Sequence, residues 1–199
     1  MEGLRLASPA RAVVGLGNPY RGDDGVGPAL LNALRAVTRN PSSVTGNSEL
    51  HPGSRDVVHG SRITVHGSRL TAHGSRITVH GSRITDYDLI EAVHGGFRLA
   101  EAVCGYERVL IVDAAPWLPP GEVARFPLED LPSRAGYLHG LGLRVALEAL
   151  AMAGERVPEV EVLAVGIPGD PQFGEGLSEE VERALPRALA EVSEWLNGC

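Results

Sequence analysis

Val13-Val14-Gly15-Leu16-Gly17-Asn18-Pro19-Tyr20-Arg21-Gly22-Asp23-Asp24-Gly25-Val26-Gly27 decides how the rest of the chain is read. A short apolar run ends in a glycine-rich loop, and an amphipathic run, Pro28 to Val37, follows at once. The order predicts strand, tight loop, helix. Glycines let the backbone adopt positive φ and come close to another group. Asp23 and Asp24 stand where the new helix leaves its first N–H groups unpaired. One of them can serve as a helix N-cap, which needs only a single acceptor. A second carboxylate on a loop at a strand's C-terminal end points to a site in an α/β fold.

The same stretch excludes several chemistries. It lacks the G-x-x-x-x-G-K-[ST] pattern of a phosphate loop. The chain has no lysine, since all 18 cationic residues are arginine. A Walker lysine, a Schiff-base lysine and a lysine general base are therefore absent. Gly15 and Gly17 begin a G-x-G-x-x-G pattern, but Tyr20 occupies the third glycine's place, and two carboxylates would repel a pyrophosphate. Gly15-Leu16-Gly17-Asn18-Pro19 also resembles the start of peptidyl-tRNA hydrolases. That family continues to a Thr-Arg-His-Asn element with its catalytic histidine, whereas Thr38-Arg39-Asn40 lacks the histidine.

A length of 199 residues suits one domain with a full core. Apolar content of 43% and charged content of 22% are ordinary for a globular protein and predict no bilayer span. No signal peptide is recognisable, and the two cysteines, Cys104 and Cys199, form no disulfide framework, so the expected location is the cytoplasm. Cys104 follows an apolar helical run and reads as a buried structural thiol. The net charge of −7 is uneven. Residues 51–85 carry five arginines and one acid, Asp56, which leaves 13 arginines against 24 acids elsewhere. So acidic a body argues against nucleic-acid binding.

Met1 to Ala10 reads as a loose tail, Arg11 to Gly15 as the first strand and Gly27 to Val37 as the first helix. Asn40 to Asn47 has loop composition. An insert over residues 41–85 then carries a seven-residue repeat. His59-Gly-Ser-Arg-Ile-Thr-Val65 recurs from His66, His73 and His80, with a worn copy from His51. A helical ladder of metal-binding histidines is disfavoured by Gly-Ser in every unit and by the β-branched residues. Two readings stay open. One is a β-meander with Gly-Ser turns, placing Ile63, Val65, Leu70, Ala72, Ile77, Val79 and Ile84 on one face. The other is a mobile segment.

Beyond the insert, Asp88 to Val93 reads as a strand, Gly96 to Cys104 as a helix, and Arg108 to Val112 as a buried strand ending in Asp113. Pro119-Pro120-Gly121 turns the chain into a short strand, Glu122 to Phe126. Tyr137 to Ala153 has helical spacing and starts near His139, Glu159 to Val165 is a strand, and Leu177 opens a last helix. Ser178 is its expected N-cap, Glu180 and Glu182 lie near its positive end, and Pro186 should kink it or mark its true start. Strands alternate with helices. The expected fold is α/β, a three-layer αβα sandwich around a mostly parallel sheet, in a single domain over 1–199.

Three residues stand out. Asp24 follows the first strand, Asp113 ends an apolar one, and His139 opens a helix. Loops after parallel strands gather on one edge, so Asp24 and Asp113 should face each other there with His139 completing the group. Two carboxylates and an imidazole make an O/O/N donor set. Each also has a plain structural role open to it, as a cap or a helix-terminal histidine.

Gly15-x-Gly17-Asn18, Gly22-Asp23-Asp24-Gly25-Val26-Gly27, Val112-Asp113-Ala114, Pro120-Gly121, His139-Gly140-Leu141-Gly142-Leu143, Gly166-Ile167-Pro168 and Gly176-Leu177-Ser178 together resemble the maturation proteases of NiFe hydrogenases. The resemblance covers nearly the whole chain outside the insert. It implies an endopeptidase that removes the C-terminal tail of a hydrogenase large-subunit precursor once nickel has been inserted. It also implies that Asp24, Asp113 and His139 read nickel carried by the substrate rather than held permanently, acting as the catalytic and metal-contacting set. Asp23, Glu91 and Gly96 are the expected substrate-binding residues. The family's aspartate-glycine-glycine-threonine element departs here to Glu91-Ala-Val-His-Gly95-Gly96. A protein that binds nickel or the large subunit without cutting is the alternative.

Overall fold

The structure, a computed structural model, describes residues 10–39, 76–77, 87–132 and 138–198, with side chains except at 37–39, 76–77 and 138–141. The opening strand β1 (Arg11–Leu16) leads through a short 3-10 turn at Gly22–Gly25 into α1 (Val26–Arg39). Then come β2 (Arg76–Ile77), β3 (Tyr87–Ala92), α2 (Phe97–Val103), β4 (Arg108–Ala115), β5 (Val123–Pro127), α3 (Leu138–Met152), β6 (Glu159–Gly166) and α4 (Glu179–Asn197). The sheet order is β2-β3-β1-β4-β6-β5. The central four strands are parallel, while β2 and β5 lie antiparallel at the two edges.

Alternation along the central strands divides the core into two layers. Val13, Leu89, Leu110, Val112 and Leu163 pack with α1 and α4 residues such as Leu30, Leu31, Val181 and Val192. Val14, Ile90, Val109, Ile111 and Val162 face the other way, against Leu99 and Val103 of α2 and Leu143 and Leu147 of α3. Burial on both faces is why these strands read as continuous apolar runs. The three-layer sandwich expected from the sequence is the observed architecture.

Several local expectations change. Asp113 is inside β4 rather than at its end. The sequence reads Glu122 to Phe126 as a strand without giving its direction; Gly121, at φ 78°, turns it antiparallel to β6. Pro186 neither starts nor ends α4, which runs through it from Glu179 to Asn197. Cys104 is half-buried one position past α2, not fully enclosed. The tail Met1 to Pro9 lies outside the described residues, as does the insert apart from Arg76–Ile77, which pair with Leu89 and Ile90 on the sheet's outer edge.

That edge position leads to a first prediction. Deleting residues 48–84 should leave a folded protein, because loop-length entropy grows slowly and the expected change is about 1 kcal/mol or less. Urea unfolding of the deletion variant checks this. A chain that no longer folds would mean the repeat belongs to the core.

Candidate active site at the C-terminal edge of the sheet

The loop after β1 is built on close contacts that only glycine permits. A Cβ on Gly27 would lie 2.4 Å from the Leu16 carbonyl oxygen and 2.7 Å from that of Val112. One on Gly17, at φ 129°, would lie 1.8 Å from the Asp24 carbonyl oxygen. The start of α1 therefore rests directly on the ends of β1 and β4. The Gly17 N–H donates to the Ala92 carbonyl at 2.9 Å, which ties the same loop to the exit of β3.

The two adjacent carboxylates divide their work. The Asn18 N–H donates to Asp24 Oδ2 at 2.9 Å, closing the loop on itself. The Ser178 N–H donates to Asp23 Oδ1 at 2.6 Å. Asp23 thus serves a helix N-terminus, but that of α4 rather than α1. The sequence suggested Ser178 as the cap of α4, yet its side chain makes no capping bond, and among the described residues its buried Oγ has no hydrogen-bond partner. A carboxylate from the far end of the chain instead takes the N–H of the cap residue itself. It also places negative charge at the positive end of a 19-residue helix.

Asp113 is 3% exposed. It shares strand parity with Val109 and Ile111 and so belongs to the face covered by α2 and α3. The Ala114 N–H donates to its Oδ1 at 2.9 Å. His139 lies in the first turn of α3; its side chain is outside the described residues. The backbone still locates that turn. Strand β6 begins at the opposite sheet edge, so α3 must run toward that edge and start at the C-terminal one. A Cβ on Gly142 would lie 3.6 Å from the Cα of Gly96, just beyond the exit of β3. Asp24, Asp113 and the start of α3 are therefore brought to one edge. Among the described side chains, no three of His, Cys, Asp and Glu converge as metal ligands.

Glu91, one residue before the end of β3, is turned to the opposite face of the sheet from Asp113. It has the parity of Leu89 and points to the α1 face, where Arg35 Nη1 donates to its Oε1 at 2.5 Å. Arg35 is almost fully buried and also donates to Asn32 Oδ1 at 2.9 Å. Sequence reasoning missed this pair, because nothing in the spacing of α1 announces that a buried arginine will reach β3. His94, exposed on the loop between β3 and α2, was also not singled out. Gly96 has φ 70°, with open space where a Cβ would stand.

The pair gives a second prediction. Glu91→Gln keeps an acceptor for Arg35 but removes the counter-charge of a buried guanidinium, and should cost about 1–3 kcal/mol. On the expectation that the chain reads nickel carried by a precursor, Glu91→Gln should leave that contact largely intact. Loss of that contact as complete as for Asp24→Asn would make Glu91 part of the metal-reading group.

The model of the hydrogenase maturation protease family, HycI, matches residues 76–195. This chain belongs to the hydrogenase maturation protease family. Protein FrxA of Pyrococcus furiosus is 37% identical over 98 residues, spanning 47% of this chain and 72% of that protein. Among solved structures, the hydrogenase maturating endopeptidase HybD from E. coli aligns with a TM-score of 0.61 at 19% identity, covering 94% of this chain and 93% of that one. The NiFe hydrogenase maturation protease HybD from Thermococcus kodakarensis gives 0.57 at 20% identity, covering 94% and 99%. At such identities these two likenesses speak for the fold. Family membership supports a processing endopeptidase, a hydrolase of peptide bonds. No helix among the described residues is long and apolar enough to cross a membrane.

Proposed function

We propose that this hydrogenase maturation protease removes the C-terminal tail of a NiFe hydrogenase large-subunit precursor after nickel insertion, in the cytoplasm, using the substrate's nickel as its recognition signal. Membership of this family carries the reading, and the positions of Asp24 after β1, Asp113 near the end of β4 and the start of α3 on the C-terminal side of the sheet support it. Two carboxylates and an imidazole suit a borderline divalent ion such as nickel.

Nickel arrives in this scheme as part of the substrate, where it supplies a Lewis acid that polarises a carbonyl or lowers the pKa of a water. The chain's own residues do the orienting. Asp24 is held by the Asn18 N–H through one oxygen, which fixes the direction of the other. Asp113 is held in the same manner by the Ala114 N–H, in a dry setting where its charge acts more strongly than in water. His139 must be neutral to offer a lone pair. Metal reading should therefore weaken as pH falls and the imidazole takes up its proton. Gly96 gives substrate backbone room beside α3, and Glu91, steadied by Arg35, borders the tail's path. Asp23 acts on the tail by holding the loop before α4 in place.

Incubating the protein with nickel-loaded precursor tests the reading. Loss of a short C-terminal peptide is expected. A stable complex with the tail intact would favour a binding protein that does not cut.

A further inference from the structure

The loop between β6 and α4 is fastened to the loop of Asp24. The Gly22 N–H donates to the Gly174 carbonyl at 2.8 Å and the Gly174 N–H to the Tyr20 carbonyl at 3.1 Å. Arg21 Nη2 donates to the Pro171 carbonyl at 3.2 Å, and Asp23 takes the Ser178 N–H. Strand β4 lies between β1 and β6, so the joined loops meet on the C-terminal side of the sheet above β4. They enclose an open cavity of about 220 Å³, lined by Gly22, Asp23, Ile167, Pro168, Pro171 and Phe173 among others.

The cavity wall mixes polar and apolar groups, and Phe173 is its large apolar side chain that stands exposed. Six large apolar side chains are exposed among the described residues, and four of them, Tyr20, Val93, Phe97 and Phe173, belong to this edge. Phe173 is 91% exposed, and it stands on the fastened loop itself. Leaving so large an apolar surface in water forgoes the stabilisation that burial would give. The cavity wall itself carries two carboxylates, with the charged Arg21 standing beside it. Asp23 and Asp170 line it and Glu175 follows, while the Arg21 guanidinium is turned to the Pro171 carbonyl.

We propose that the loop Ile167–Gly176 is the element that grips the substrate tail, with Phe173 as its apolar contact and Asp23 as the positioning residue that fixes the loop beside Asp24. The occupant is an extended peptide segment that offers an apolar side chain to Phe173 and carries no acidic residue beside it. This rests on the endopeptidase reading above.

Steady-state cleavage of nickel-loaded large-subunit precursor by the full-length wild type, Phe173→Ala, Asp23→Ala and Asp23→Asn tests it. Phe173→Ala should raise KM about tenfold with kcat within about twofold, the mark of lost substrate binding. Asp23→Ala should do the same. Asp23→Asn should recover a KM within about threefold of wild type, because its amide oxygen still accepts the Ser178 N–H. An acidic residue placed in the tail should raise KM further. Cleavage by the wild type with unchanged KM in Phe173→Ala overturns this inference alone. Asp23→Ala with a lower Tm but an unchanged KM overturns the positioning role. A wild type that does not cleave overturns the endopeptidase reading, and this inference with it.

Discussion

Asp24→Asn, Asp113→Asn and His139→Ala should each lower precursor cleavage by at least about a thousandfold, and the double and triple variants should be little worse than the singles. Residues that act as one unit lose their joint effect with the first removal. Asparagine is chosen because its amide oxygen can still accept the Asn18 N–H at position 24 and the Ala114 N–H at position 113. The loops keep their shape, and only the charge is lost. Circular dichroism and thermal melting close to wild type should accompany the lost activity. Singles whose losses multiply in the double variants would show three independent contributions rather than one metal-reading cluster.

The second large effect is expected at Gly27. A Cβ there meets three backbone atoms of Leu16 and Val112 within 2.7 Å, and backbone cannot rotate aside as a side chain can. Gly27→Ala must lift α1 off the sheet. The cost should be about 3 kcal/mol, the upper end for overpacking, and should lower Tm by roughly 6–12 °C in a chain of this length. Activity should fall with it, since Asp24 stands three residues before Gly27. Gly142→Ala is the control. Among the described residues its Cβ would meet only the Cα of Gly96, at 3.6 Å, an ordinary contact, and alanine favours a helix interior. It should melt at or above the wild-type temperature. Equal losses in both variants would remove the close approach of α1 as the explanation.

The fold was legible because its signals are local. The apolar runs of β1, β4 and β6 and the glycines of the first loop each announce their own structure, and their alternation with helices implies the layers. What stayed hidden depends on partners far apart in sequence. Ser178 looks like a cap by its neighbours alone, yet its side chain makes no capping bond and Asp23, 155 positions away, takes its N–H. Asp23 in turn looked like a cap for the helix beside it. Glu91 looked like a substrate contact from its place in the motif, and its engagement by Arg35 appears only once α1 lies across β3. The direction of β5 hinged on a turn whose outcome is set by a close approach, since a Cβ on Gly166 would lie 1.9 Å from the Pro119 carbonyl oxygen. For the candidate site, strand-end logic brought Asp24, Asp113 and the start of α3 to one edge. The finer division of labour between Asp23 and Asp24 needed the hydrogen bonds.

Intact-mass measurement of the large-subunit precursor, incubated with this protein in nickel-loaded and nickel-free form, bears most directly on the central claim. Loss of a single short C-terminal peptide from the nickel-loaded form alone, abolished by Asp24→Asn, is the result predicted. Equal trimming of the nickel-free precursor would contradict the claim that Asp24, Asp113 and His139 read the metal.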